Sequence, residues 1–97
     1  MVKVVIIDDI EFQVDDNNYF SLLFLINQLA PNKKCLIHKF FEINMHIIKK
    51  LDNPYYIKDF DYMCNKDLFL LCVSWLDETK YFKYNKIITE YLEQQQH

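Results

Sequence analysis

The chain has 97 residues, 52% of them hydrophobic and 16% aromatic, and reads as one domain, 1–97, too apolar to remain disordered and with no run long enough to span a bilayer. A formal charge of -3 with scattered lysines argues against a phosphate-binding surface, so neither nucleic acid nor membrane is an expected partner. Zero glycine removes the phosphate-cradling loop and the dinucleotide fingerprint, both of which need glycine for close backbone approach.

Alternation in Val2-Lys3-Val4 and in Ile10-Glu11-Phe12-Gln13-Val14 predicts two strands with one buried face, joined at Asp8-Asp9. The continuous apolar run 4–7 suggests cover on both sides. Residues 15–18 supply turn formers, and Ser21 is a candidate helix cap. A first helix follows over about 19–29 and stops at Ala30-Pro31-Asn32, because proline biases the preceding residue away from helix. Residues 35–40 read as a third strand, 43–51 as a second helix ended by Asn53-Pro54, and 53–61 as a loop. From residue 67 an apolar helix runs to a Trp75-Leu76-Asp77 corner, with Trp75 expected to be wedged between helices. A last helix carries Tyr84, Ile87, Ile88, Tyr91 and Leu92 at helical spacing. Ile88 and Leu92 are expected in the core, with the tyrosine hydroxyls turned to water or a partner. Residues 93–97 read as a fraying polar tail.

The first helix is apolar around most of its circumference, and such a helix must be covered on all sides. One account buries it centrally. The other leaves a face containing Leu22, Phe24 or Ile26 to be covered by a second copy or a partner.

No constellation of catalytic residues emerges. Val4-Val5-Ile6-Ile7-Asp8-Asp9 resembles the first strand of a response-regulator receiver, but the next segment alternates like a strand instead of opening a helix, so the acids are assigned to a hairpin turn. His38, His46 and His97 form no spaced metal set with Cys35, Cys64 and Cys72, and no metal or cofactor is expected. An odd cysteine count without C-x-x-C spacing suits buried thiols in a reducing compartment. With no cleavable leader apparent, the expected location is cytoplasm or nucleus, the host's if the chain is viral. Abundant Asn, Ile, Lys and Tyr hints at AT-rich coding, as in some protists and large DNA viruses.

Three segments together carry a resemblance. They are Val2-Lys3-Val4 with Asp8-Asp9 and Glu11-Phe12-Gln13-Val14; Met45-His46-Ile47-Ile48-Lys49-Lys50-Leu51; and Leu70-Leu71-Cys72-Val73-Ser74-Trp75-Leu76-Asp77. In order and spacing the chain resembles the BTB/POZ superfamily, most closely the small adaptor branch of Elongin C and the Skp-type adaptors of cullin ubiquitin ligases. It departs in having Asp9 where the family usually has glycine, and Cys72-Val73-Ser74 where alanines are usual.

The resemblance implies an α+β domain with a three-stranded sheet packed on a cluster of helices. It implies a non-catalytic adaptor joining a cullin to an F-box or SOCS/BC-box-like receptor. Carried over by position, a client pocket would involve Phe69, Val73 and Trp75 with Tyr55 and Tyr56. A cullin-side surface would lie near Lys49, Lys50, Ile57 and Phe60. The valine at 73 narrows the room that alanine leaves for a client side chain. The alternative is a self-associating BTB-like module, or a viral competitor of host adaptors, that engages no cullin.

Overall fold

The computed structural model describes residues 3–31 and 36–95. In chain order it holds β1 (Lys3–Ile7), β2 (Ile10–Val14), β3 (Phe20–Ser21), α1 (Leu22–Leu29), α2 (Leu36–Ile48), β4 (Tyr55–Lys58), β5 (Asp61–Cys64), α3 (Lys66–Leu76), a 3-10 turn (Glu78–Lys80) and α4 (Tyr81–Gln94). The fold is α+β. Its sheet has the order β1-β2-β3-β5-β4 with every pairing antiparallel. The expected three strands are therefore five, and the receiver-like parallel sheet is absent among the described residues.

The first hairpin forms where the alternation placed it, with Ile7 opposite Ile10 and Lys3 opposite Val14. Asp8 and Asp9 both take positive φ, 53° and 66°. That is the type I′ geometry whose twist matches the flanking strands, reached here without glycine. The Asp8 carboxylate accepts from Lys83 Nζ at 2.6 Å. This ties the turn to α4 and lowers the Asp8 pKa, the Lys83 hydrogen bond being the largest cause. Val5, Ile7, Phe12 and Val14 face the core, whereas Val4 and Ile6 are exposed. The run 4–7 is thus covered on one side only, because among the described residues nothing encloses Val4 and Ile6 on the outer face of the hairpin.

Chain after residue 34 departs most from expectation. The described part of 35–40 belongs to α2, not to a strand; Leu36, Phe40, Phe41, Asn44 and Ile48 fall on one helical stripe toward the core. Asn44 interrupts that stripe, yet it is satisfied by donating Nδ2–H to the Phe40 carbonyl at 3.0 Å. The expected loop 53–61 is the β4–β5 hairpin, turned at Asp59 and Phe60 with φ 52° and 64°. A positive φ is costly for a side chain as large as phenylalanine.

α3 is the central helix, touching α1, α2, α4 and β5. Leu68, Phe69, Leu70, Cys72 and Val73 are buried on it. It starts at Asn65, whose Oδ1 accepts from Leu68 N–H at 3.0 Å, and ends at Asp77, whose N–H donates to the Val73 carbonyl at 2.8 Å. The Trp-Leu-Asp corner therefore stands where the sequence placed it. Trp75, however, is only half-buried, its ring 5.5 Å from that of Phe40. It borders the surface instead of being wedged inside.

α4 runs through Gln94, so Glu93 and Gln94 are helical, and 96–97 lie outside the described residues. Ile88 is buried and Leu92 partly so. Tyr84 corrects the expected outward tyrosines: it is fully buried, and its hydroxyl has no partner among the described residues. Burial is the first cause raising its pKa to about 12. Cys64 and Cys72 are buried free thiols, held protonated chiefly by desolvation; Cys35 lies outside the described residues.

Candidate functional site

The residues expected to form one client pocket are not brought together. Phe69 and Val73 are at 0% exposure, because both lie on the covered faces of α3 and point into the core. Tyr55 and Tyr56 are successive strand residues and therefore point to opposite faces of β4. Tyr55 meets Phe41 and Tyr62 edge-on, centroids 5.1 and 5.4 Å away. Tyr56 packs on Tyr19 at 5.3 Å and donates its hydroxyl to Asp15. Of the five, Trp75 alone lines a surface cleft.

That cleft, about 560 Å³, lies between the end of α1, the first turns of α2 and the corner after α3. Leu29, Leu36 and Ile43 form one wall, Trp75 and Leu76 the other, and Lys39 stands at its margin. Two physical facts make it. Ile43 sits at the edge of the buried stripe of α2, two turns from Leu36, and is 47% exposed, and the corner at Asp77 stops α3 before Trp75 can be enclosed. Farther along the same helix pair, Ile47, Leu51, Leu71 and Tyr81 line a second hollow of about 380 Å³, which Lys66, Asp67, Ser74 and Asn85 make partly polar. Because Ile43 and Ile47 are one helical turn apart, the two hollows lie in succession along α2. Such a surface suits apolar side chains presented by a helix; among the described residues it has no carboxylate pair or metal set.

Sequence reasoning missed Leu36 because 35–40 reads as a strand, and it placed Ile43 and Ile47 on a helix without giving them a surface role. The stripe Lys39, Ile43, Ile47, each four residues from the last, was the available signal.

The other expected surfaces divide. Lys49, Lys50, Ile57 and Phe60 are all exposed, Ile57 at 64% and Phe60 at 100%. On α1, Leu22 and Ile26 are buried with Leu25, while Phe24 is 37% and Leu23 42% exposed. Helical period explains the correction: 22, 25, 26 and 29 share the core-facing stripe, and 23 and 24 lie away from it. α1 is therefore buried on one face only, with 23, 24, 27 and 28 exposed, and its outward apolar pair is Leu23 with Phe24.

A network at the β3 end holds the sheet and α1 together. Asp15 Oδ1 accepts from Asn17 N–H and Tyr19 N–H at 2.8 and 2.9 Å, leaving Oδ2 for Tyr56. The Tyr56 pKa rises to about 12, first through that hydrogen bond and then through burial. A phenol whose folded pKa exceeds its unfolded value of about 10 contributes stability that is whole below pH ~10 and lost as pH rises toward the folded value. Stability measured by denaturant melts should fall between pH ~10 and ~12, and Tyr56→Phe should make that fall shallower. An unchanged slope would mean that the Asp15 bond is not made in solution.

Among the described residues no helix is long and apolar enough to cross a membrane. Compared with family models, with curated proteins and with solved structures, the chain matches none.

Proposed function

We propose that this chain is a non-catalytic docking protein that receives a short amphipathic helix of a partner in the cleft beside Trp75. The observation that carries the reading is the cleft itself, about 560 Å³ in volume, with apolar side chains on both walls, Lys39 at its margin and a half-buried tryptophan at the corner after α3. Helix-in-groove recognition works through a few aliphatic or aromatic anchors placed in such hollows. The second hollow along α2 offers a place for an anchor one or two turns farther on.

The partner class follows from the resemblance to the small BTB/POZ adaptors, in which the penultimate helix and its corner take an aliphatic side chain from a BC-box-like helix. The first hairpin and the α3–α4 corner agree with that pattern. The helix at Leu36–Ile48 and the β4–β5 hairpin depart from it. In this reading Lys49, Lys50, Ile57 and Phe60 form the cullin-facing side, with cytoplasm or nucleus as the place of work.

Trp75 is the only tryptophan, which makes the test direct. A synthetic BC-box helix added to the purified chain should shift Trp75 emission to the blue, and Ile43→Asp should weaken binding by ~10-fold or more, as for loss of a hot-spot anchor. A flat titration, together with no cullin, F-box or SOCS-box protein captured from eukaryotic lysate, would remove the adaptor reading. A second reading, self-association, is favoured by one observation, the outward pair Leu23 and Phe24 on α1. Light scattering that finds only monomer at high concentration would remove it.

A further inference from the structure

The sheet is split along part of its length. β2 spans five residues but meets β3 only at Val14 opposite Phe20, because the chain leaves the sheet after Ser21 to begin α1. Residues 11 and 12 therefore pair with β1 alone, and of Gln13 only the N–H is left over, since the Val14–Phe20 pairing engages its carbonyl with Ser21 N–H. The direction of their backbone groups follows from the turn. A two-residue hairpin places a hydrogen-bonded pair next to the loop, so Ile10, Phe12 and Val14 bond to β1, whereas Glu11 and Gln13 aim their amides the other way. Asp15 obeys the same parity, donating its N–H to the Tyr19 carbonyl at 3.0 Å.

Where β3 is missing, the structure has a cleft of about 620 Å³, between residues 11–16 on one side and Lys58, Asp59, Asp61 and Met63 on the other. Phe24 lines it and meets Phe12 edge-on, with ring centroids 5.5 Å apart. Its charge is nearly of one sign. Glu11, Asp15, Asp16, Asp59 and Asp61 line it, against a single cation, Lys58. Asp15 and Asp61 are engaged internally, but Glu11, Asp16 and Asp59 are exposed.

We propose that this cleft is a second docking site, which takes an extended, lysine- or arginine-bearing segment of a partner protein as an added strand on the free edge of β2. An added strand gains main-chain hydrogen bonds at an exposed edge, and alternate side chains supply specificity. Here one set of side chains would meet the carboxylates and the other Phe24. The same charges decide against a second copy of this chain, because pairing two β2 edges would bring Glu11, Asp16 and Asp59 against an equally acidic cleft. The site is separate from the cleft beside Trp75, sharing no lining residue with it, so each can fail alone.

The probe is a capped Val-Lys-Val-Lys-Val-Lys peptide, followed by amide NMR and hydrogen exchange on the full chain at about 0.15 M salt, where the Debye length is near 8 Å. Shifts should concentrate at 11–16 and 58–61, and Glu11 and Gln13 amides should exchange ~10-fold more slowly or less readily still, as newly bonded groups do. A Val-Glu-Val-Glu-Val-Glu peptide should not bind. Glu11→Pro removes the edge N–H on the side where an edge strand tolerates proline and should abolish binding, whereas Glu11→Gln, which keeps the N–H, should only weaken it. Shifts scattered over other acidic surfaces, unchanged exchange at Glu11 and Gln13, or no binding at all would overturn the proposal. If Glu11→Pro does not fold, the exchange result on the unmodified chain decides alone.

Discussion

Phe69→Ala should cost ~3–5 kcal/mol in a denaturant melt, the loss expected when a buried aromatic ring is truncated and the cavity only partly collapses. Phe69 is at 0% exposure and is the centre of an aromatic cluster. Its ring lies 4.8 Å from Phe20, 5.6 Å from Phe12 and 6.4 Å from Tyr84. It therefore joins β2, β3, α3 and α4, and aromatic pairs of this kind add ~0.5–1.5 kcal/mol beyond area burial. A domain of this size has only ~5–15 kcal/mol in total, so the variant should be close to its folding limit. Trp75→Ala is the internal comparison and should cost clearly less, because its half-exposed ring leaves an opening to water and not a closed cavity. The reverse order would mean that α3 is rotated from the orientation described.

Asp61→Ala should cost ~2–3 kcal/mol, from the loss of charge-assisted hydrogen bonds that net about 1.5–3 kcal/mol, discounted for partial exposure. Its Oδ2 accepts from the Ser21 hydroxyl and its Oδ1 from Leu23 N–H at 3.1 Å. Ser21 Oγ in turn accepts from Phe24 N–H at 3.0 Å, so one carboxylate on β5 and one hydroxyl on β3 together cap α1. Ser21→Ala alone should cost ~1–2 kcal/mol, as helix-cap losses do. The double variant should lose less than the sum of the two, with a coupling of order ~1 kcal/mol. Strict additivity in thermal or denaturant melts would show that the two groups do not act as one cap. The experiment also bears on the split in the sheet, since this cap is where the chain leaves β3 for a helix.

The first hairpin and the α3–α4 corner were legible because their signals are local. Period-two alternation around a two-residue turn and an apolar run ending in Leu-Asp each need only neighbouring residues. The second hairpin carries a weaker signal, strand-favouring Tyr55-Tyr56-Ile57 and Tyr62-Met63-Cys64 about an Asp-initiated turn but without clear alternation. Asn53-Pro54 marks a helix end and so makes 53–61 read as a loop, and Phe60 stands at a positive φ where hairpin turns favour glycine or asparagine. In α2, Leu36-Ile37-His38-Lys39-Phe40 is short enough to pass for a strand, and the polar Asn44 masks the helical stripe. Burial on α1 followed the 3.6-residue period, which separates Leu22 and Ile26 from Phe24 although all three are apolar.

By itself the sequence determined the α+β class, the thiol-rich apolar core and the two places where the chain must reverse. Hydrophobic period and turn chemistry are properties of neighbouring residues and survive without knowledge of the rest. Only the tertiary structure decided which apolar residues are anchors and which are core. Phe69 and Val73 are enclosed while Trp75 and Ile43 reach the surface, because exposure depends on what other elements cover, and composition carries no record of that. The same holds for the open edge of β2: no residue in 11–13 encodes it, and it exists because β3 ends after two residues.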